Sequence, residues 1–101
     1  MNYRTEFPDF PPEDMPNFPI DMTDCSWGND NCPSFRHRHA RVWIDYVDPA
    51  KREWPQMERY CLEWFASDQI DAEPVQAFYT NDWAEVDEAL RIVFAEADPI
   101  I

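Results

Sequence analysis

Asp82-Trp83-Ala84-Glu85-Val86-Asp87-Glu88-Ala89-Leu90-Arg91-Ile92-Val93-Phe94-Ala95-Glu96-Ala97 is the stretch from which the fold can be worked out. Apolar residues fall at Trp83, Val86, Ala89, Leu90, Val93, Phe94 and Ala97. Steps of three and four trace one stripe of an α-helix. Asp82 followed by Glu85 has the spacing of a capping box, with Asp in place of Ser or Thr at the N-cap. Pro99 stops the pattern. A stripe of this kind needs a surface to bury against, and the residues upstream supply one.

Arg41 to Asp48 alternates as a strand, with Val42, Ile44 and Tyr46 on one side and Arg41, Trp43, Asp45 and Val47 on the other. Asp48-Pro49-Ala50-Lys51-Arg52 is turn chemistry. A second strand is predicted from Met57 to Phe65, placing Tyr60, Leu62 and Trp64 opposite Met57, Cys61 and Phe65. A third runs from Val75 to Thr80, with Val75, Ala77 and Tyr79 together. Short links between consecutive strands favour antiparallel pairing. The stretch Cys25 to Ser34 is rich in Asn, Asp and Pro and carries the single glycine, Gly28. It reads as a tight loop anchored by a buried Trp27.

Five prolines in the first 20 residues exclude a helix or a central strand there. Phe7, Phe10, Phe18 and Ile20 lie between them, so part of this segment should rest on the body. The predicted architecture is α+β. A three-stranded antiparallel β-meander carries one C-terminal helix packed on the sheet. Residues 1–23 form an extended, Pro- and aromatic-rich arm, and residues 24–101 a single domain. The arm is expected to cover the sheet face away from the helix.

The 101 residues hold 21 acids against 8 Lys and Arg, a formal net charge of −13. Direct binding to phosphates or to an anionic membrane is excluded on that balance. An aromatic content of 16% separates the chain from disordered acidic tails. One glycine leaves no room for a phosphate-cradling loop. Charge runs in blocks: net −6 over residues 1–34, +2 over 35–60 and −9 over 61–101. No apolar run is long enough to span a bilayer, and the N-terminus lacks the pattern of a signal peptide. A cytoplasmic protein with free thiols is expected.

Cys25, Cys32, His37 and His39 are the residues with metal-ligand chemistry. Zinc accepts two thiolates and two imidazoles, but the six residues between the cysteines exceed the usual spacing, and three neighbouring arginines repel a cation. No metal or other cofactor is therefore expected, a zinc-stabilised or plain accessory module being the alternative. Cys32 with either histidine is the sole nucleophile–base pairing; without an oxyanion hole it does not make an enzyme.

The helix offers more. Its outward arc holds Glu85, Glu88, Arg91, Ile92, Ala95 and Glu96. Acids one turn apart do not stabilise a helix. Asp68, Asp71, Glu73 and Asp82 lie in adjoining loops. Carboxylates about 5–6 Å apart along a helix approximate the spacing of phosphates along a nucleic acid strand. The candidate partner-binding residues are Asp68, Asp71, Asp82, Glu85, Glu88, Ile92 and Glu96.

The run Trp27-Gly28-Asn29-Asp30-Asn31-Cys32-Pro33-Ser34, with Val42 to Tyr46, Asp48 to Glu53 and Asn81 to Val86, resembles small uncharacterised proteins of phages and mobile elements. In size and charge the chain resembles phage inhibitors that mimic DNA, including anti-CRISPR proteins. The resemblance implies a non-enzymatic protein in a bacterial host cell, a monomer or small homo-oligomer. Its partner would be a basic nucleic-acid-binding protein or CRISPR effector complex. An immunity protein against a basic nuclease toxin is the further alternative.

Overall fold

The computed structural model describes residues 2–66 and 73–97, with the side chains of the last helix followed as far as Ile92. Among these residues the chain forms α1 (Tyr3–Glu6), β1 (Thr23–Asp24), β2 (Ser34–His37), β3 (Ala40–Ile44), β4 (Tyr60–Phe65), β5 (Pro74–Thr80) and α2 (Trp83–Ala97). The strands make one antiparallel sheet in sequence order, a meander as expected, but with five strands rather than three. The arm is not extended throughout, in contrast to the expectation: α1 lies ahead of its first proline, Pro8, with Asn2 capping it through the Thr5 amide, and Pro12–Asp14 forms a short 3₁₀ turn, as does Pro49–Lys51.

The two added strands flank the segment read as loop: β1 ends just before Cys25, and β2 begins at Ser34, the last residue of that segment. β2 pairs with β3 from Ser34↔Trp43 to His37↔Ala40, leaving a two-residue turn at Arg38-His39. Arg38 takes the left-handed conformation there (φ 52°) that glycine or asparagine adopts with less strain. β1 is only two residues long and pairs with Arg36 and Phe35. The loop between β1 and β2 is fixed by Ser26, whose hydroxyl accepts from the Ser34 amide at 3.2 Å, and by a Cys25 N–H to Ser34 carbonyl bond of 2.9 Å. Ser26, Cys32 and Pro33 are buried. Trp27 is not the buried anchor expected of it. It opens a turn closed by Asp30 N–H on its own carbonyl, and is 51% exposed.

The predicted first and second strands are longer than β3 and β4 because two arginines capture the backbone between them. Arg52 donates to the carbonyls of Tyr46 (2.7 Å), Val47 (3.1 Å) and Met57 (3.1 Å). Held to one guanidinium, these backbone groups curl into a stapled loop over residues 46–58 and do not continue the strands. Arg59 donates to the carbonyls of Asp45 (2.9 Å) and Asp14 (2.6 Å) and to the Tyr60 hydroxyl (2.5 Å).

Alternation gives the sheet two faces. On the inner face the rows Phe35–Val42–Leu62–Phe78 and Ile44–Tyr60–Thr80 run across the strands. Val86 and Leu90 of α2 are fully buried in the same cluster, with Trp83 and Ala89 packed beside them. Burial of each large aliphatic side chain contributes about 1.5–3 kcal/mol. Of the remaining expected stripe, the side chains of Val93, Phe94 and Ala97, like Pro99, lie outside the described residues.

The arm does not cover the opposite face. It shares the inner face with α2: Phe18 meets Trp83 (ring centroids 5.3 Å) and Phe35 (4.8 Å), and Phe10 meets Tyr46 (5.1 Å). Phe7 and Phe10 belong to the core itself. Polar ties fix its path. Asp24 accepts from the Tyr3 amide (2.8 Å), Glu6 from the Gly28 amide (3.0 Å), and Asp9 from the Tyr46 hydroxyl (2.7 Å). A 15-residue α2 (Trp83–Ala97) leaves inner-face surface next to it, over β2 and the end of β3, and the aromatic arm fills that gap. No helix among the described residues is long and apolar enough to cross a membrane.

Candidate functional site

α2 begins as the capping pattern predicts, with one partner exchanged. The Asp82 carboxylate accepts from the Ala84 amide at 3.0 Å. Glu85 does not reach back to the Asp82 amide. The Thr80 hydroxyl stands between them, accepting from Asp82 N–H (3.0 Å) and donating to the Glu85 carboxylate (2.8 Å). The bridge places Asp82 and Glu85 side by side at the positive end of the helix, where acids are favoured.

Asp82, Glu85 and Glu88 are exposed, and Ile92 is 51% exposed among them. Arg91 pairs with Asp87 at 2.5 Å, one turn apart in the favourable orientation. The structure thus brings Asp82, Glu85, Glu88 and Ile92 onto the outward side of α2. Asp68 and Asp71 lie outside the described residues, as does the Glu96 side chain.

Cys25, Cys32, His37 and His39 are not gathered into a site: the described residues contain no cluster of three or more potential ligands. β2 separates the thiols from the hairpin tip that carries His39, at about 3.3 Å per residue. All three cysteines are free thiols. Burial, followed by the charges of Asp45 and Asp30, pushes the Cys32 thiol far above its usual range. A Cys32 nucleophile is disfavoured on those grounds.

A second region was not foreseen from the sequence. The outer face of the sheet, left uncovered by the arm, is the floor of an open cleft of about 530 Å³. Trp43, Cys61 and Tyr79 form its central row, in register across β3, β4 and β5. Trp54 and Met57 of the stapled loop rise along one side, and Asn29 to Cys32 of the β1–β2 loop along another. Trp54 is 54% and Tyr79 49% exposed. The Trp43 indole N–H donates to Glu63 at 2.6 Å, which fixes both side chains. Glu63 is joined in the lining by Asp30, Asp45 and Glu58. Burial raises the carboxyls of Asp30 and Asp45 above the ordinary range, against the lowering effect of nearby arginines. Burial, then the charge of Glu63, lifts the Cys61 thiol to about 11, the Tyr79 hydrogen bond opposing.

Alternation marked Trp43, Cys61 and Tyr79 as residues of particular strand faces. It could not show that they align, because alignment depends on register and on which face the arm leaves open. No protein-family model, no curated protein and no solved structure matches the chain.

Proposed function

We propose that the protein is a non-enzymatic acidic inhibitor that occupies the nucleic-acid-binding surface of a basic partner, with a CRISPR effector complex in a bacterial host as the leading target. The observation that carries this reading is the outward side of α2. Asp82, Glu85 and Glu88 stand exposed there, followed by Ile92, on a helix whose inner side is locked by the fully buried Val86 and Leu90. A row of exposed carboxylates can replace phosphates in contacts with Lys and Arg, and Ile92 adds an apolar contact one turn beyond Glu88. The net charge of −13 favours fast encounter with a basic surface and disfavours nucleic acid itself as a ligand.

The test is titration of purified effector complexes, and of basic nucleases, at low and high salt. Binding should compete with the target's nucleic acid and weaken steeply as salt rises. Glu85→Lys/Glu88→Lys reverses two charges at exposed positions and should abolish binding while the fold persists. Unchanged affinity in that variant removes α2 from the interface. Capture of a nuclease toxin in place of an effector complex assigns the immunity role to the same surface.

A further inference from the structure

The uncovered face of the sheet has a different chemistry from the helix. We infer that the outer-face cleft is a binding site for an arginine side chain presented by a polypeptide partner, held between Trp54, Trp43 and Tyr79 and the carboxylates of Glu58 and Glu63.

Three observations converge on a cation. First, the walls are aromatic and accessible: Trp54 and Tyr79 are each about half exposed, and Trp43 lies on the floor in the same cross-strand row as Tyr79. Indole and phenol faces attract cations, and guanidinium stacks on them better than ammonium does. Second, four carboxylates line the cleft against one guanidinium, that of Arg59. Arg59 is already committed. It lies over the Tyr60 ring at 4.8 Å and donates to Tyr60, Asp45 and Asp14, the first and last belonging to the covered side of the sheet. Its stem borders the cleft while its charge is held toward the arm. Third, Glu63 is oriented by the Trp43 indole N–H through one oxygen, which leaves the second for a further donor. A planar fork of N–H donors fits an aromatic slot ending on a carboxylate.

The same face shows how the chain itself uses this chemistry. Arg36 stacks on Phe65 at 4.5 Å, and Arg41 lies 5.4 Å from the Trp43 ring. These intramolecular pairs fill the β2 side of the face. Arg41 takes up only one side of Trp43, and among the described residues no cation lies over the rings of Tyr79 or Trp54. The cleft is far larger than one side chain, so it admits the backbone on either side of the bound arginine.

The inference stands apart from the role given to α2, because that helix lies over the opposite face. It is tested on the full chain with the capped peptide Gly-Arg-Arg-Gly and its lysine and citrulline counterparts. Tryptophan fluorescence and amide chemical shifts report binding. The arginine peptide should give saturable shifts at Trp43, Trp54 and Tyr79. The citrulline peptide, isosteric but uncharged, should bind at least about 10-fold more weakly, and the lysine peptide about 3-fold more weakly. Trp54→Ala leaves the net charge unchanged and removes one exposed wall. It should weaken binding about 5-fold, within the range of a cation–π contact. Glu58→Gln/Glu63→Gln should weaken it about 10-fold. Glu85→Lys/Glu88→Lys should retain the peptide.

Equal binding of the citrulline peptide, shifts confined to α2, or absence of saturable binding would each overturn the assignment. So would a dimer dissociated by Trp54→Ala, since the occupant would then be a second copy of this chain.

Discussion

Phe10→Ala tests whether the Pro-rich arm is part of the folding unit. Phe10 is 2% exposed, with its ring 5.9 Å from that of Tyr3 and 5.1 Å from that of Tyr46. Truncating a buried Phe costs about 3–5 kcal/mol, from lost transfer energy and the cavity left behind. Domains of this size have stabilities of about 5–15 kcal/mol, so the change removes about a fifth or more of the total. With a urea m-value of roughly 1–3 kcal/mol/M, the unfolding midpoint should fall by about 1–5 M. Phe10→Leu keeps most of the volume and should lose about 1.5 kcal/mol or less, which secures a folded comparison. A Phe10/Tyr46 double-mutant cycle should return a coupling of about 0.5–1.5 kcal/mol. The rival account is an arm that orders only on a partner. It requires Phe10→Ala to fall within about 0.5 kcal/mol of the parent and the coupling to vanish. Either result would refute the packing argument.

Arg59→Lys keeps the charge but loses the fork that joins Tyr60, the Asp45 carbonyl and the Asp14 carbonyl. It should destabilise by about 2 kcal/mol and increase amide exchange around Asp14, as measured by hydrogen–deuterium exchange. Thr80→Val removes the hydroxyl bridging Asp82 N–H and Glu85, and should lower stability by about 1–2 kcal/mol in denaturant titration. The Cys61 thiol, held near 11, stays protonated in the fold while an unfolded thiol ionises at lower pH. The unfolded state therefore binds fewer protons across that window. Stability should fall as pH rises from about 8.5 to 11, and Cys61→Ser should flatten the slope. Asp45 acts in the same sense at lower pH: burial raises its carboxyl in the fold, so the native state holds the proton more tightly and stability should gain an increment as pH falls into the carboxylate range, an increment absent in Asp45→Asn.

The parts of the fold visible in the sequence are those whose periodicity is local. α2 is legible because Trp83, Val86 and Leu90 repeat at helical spacing, and β3 because Val42 and Ile44 alternate with Arg41 and Trp43. The hairpin between β2 and β3 is hidden because its turn residues are Arg38 and His39, neither of which signals a positive φ. Arg36 and His37 further disguise β2, since Arg36 finds its place through a stack on Phe65, far along the chain. The strand ends were misjudged at Tyr46, Val47 and Met57 because Arg52 takes their carbonyls, a contact no local pattern encodes. Of the candidate site, Glu85, Glu88 and Ile92 follow from the helical wheel and Asp82 from the capping pattern. The cleft does not, because its walls come from positions 29 to 79 and meet only through register.

The two acidic regions point in opposite directions, and this constrains any partner. α2 covers the inner face of the sheet, so Glu85 and Glu88 face away from the sheet on that side. Glu63 and Asp45 line the cleft on the other side. A flat basic surface can engage one region or the other, since the sheet and its covering layer separate them. Salt dependence alone cannot distinguish the two, because both rely on carboxylates. Charge reversal on α2 and loss of Trp54 do distinguish them, since the first leaves the cleft intact and the second leaves every carboxylate in place. A partner sensitive to both must wrap around the edge of the sheet. β5 is that edge: Tyr79 lines the cleft, and Thr80 carries the cap of α2. Such a partner would protect the β5 amides from hydrogen exchange, whereas one that docks on a single region would leave them unprotected.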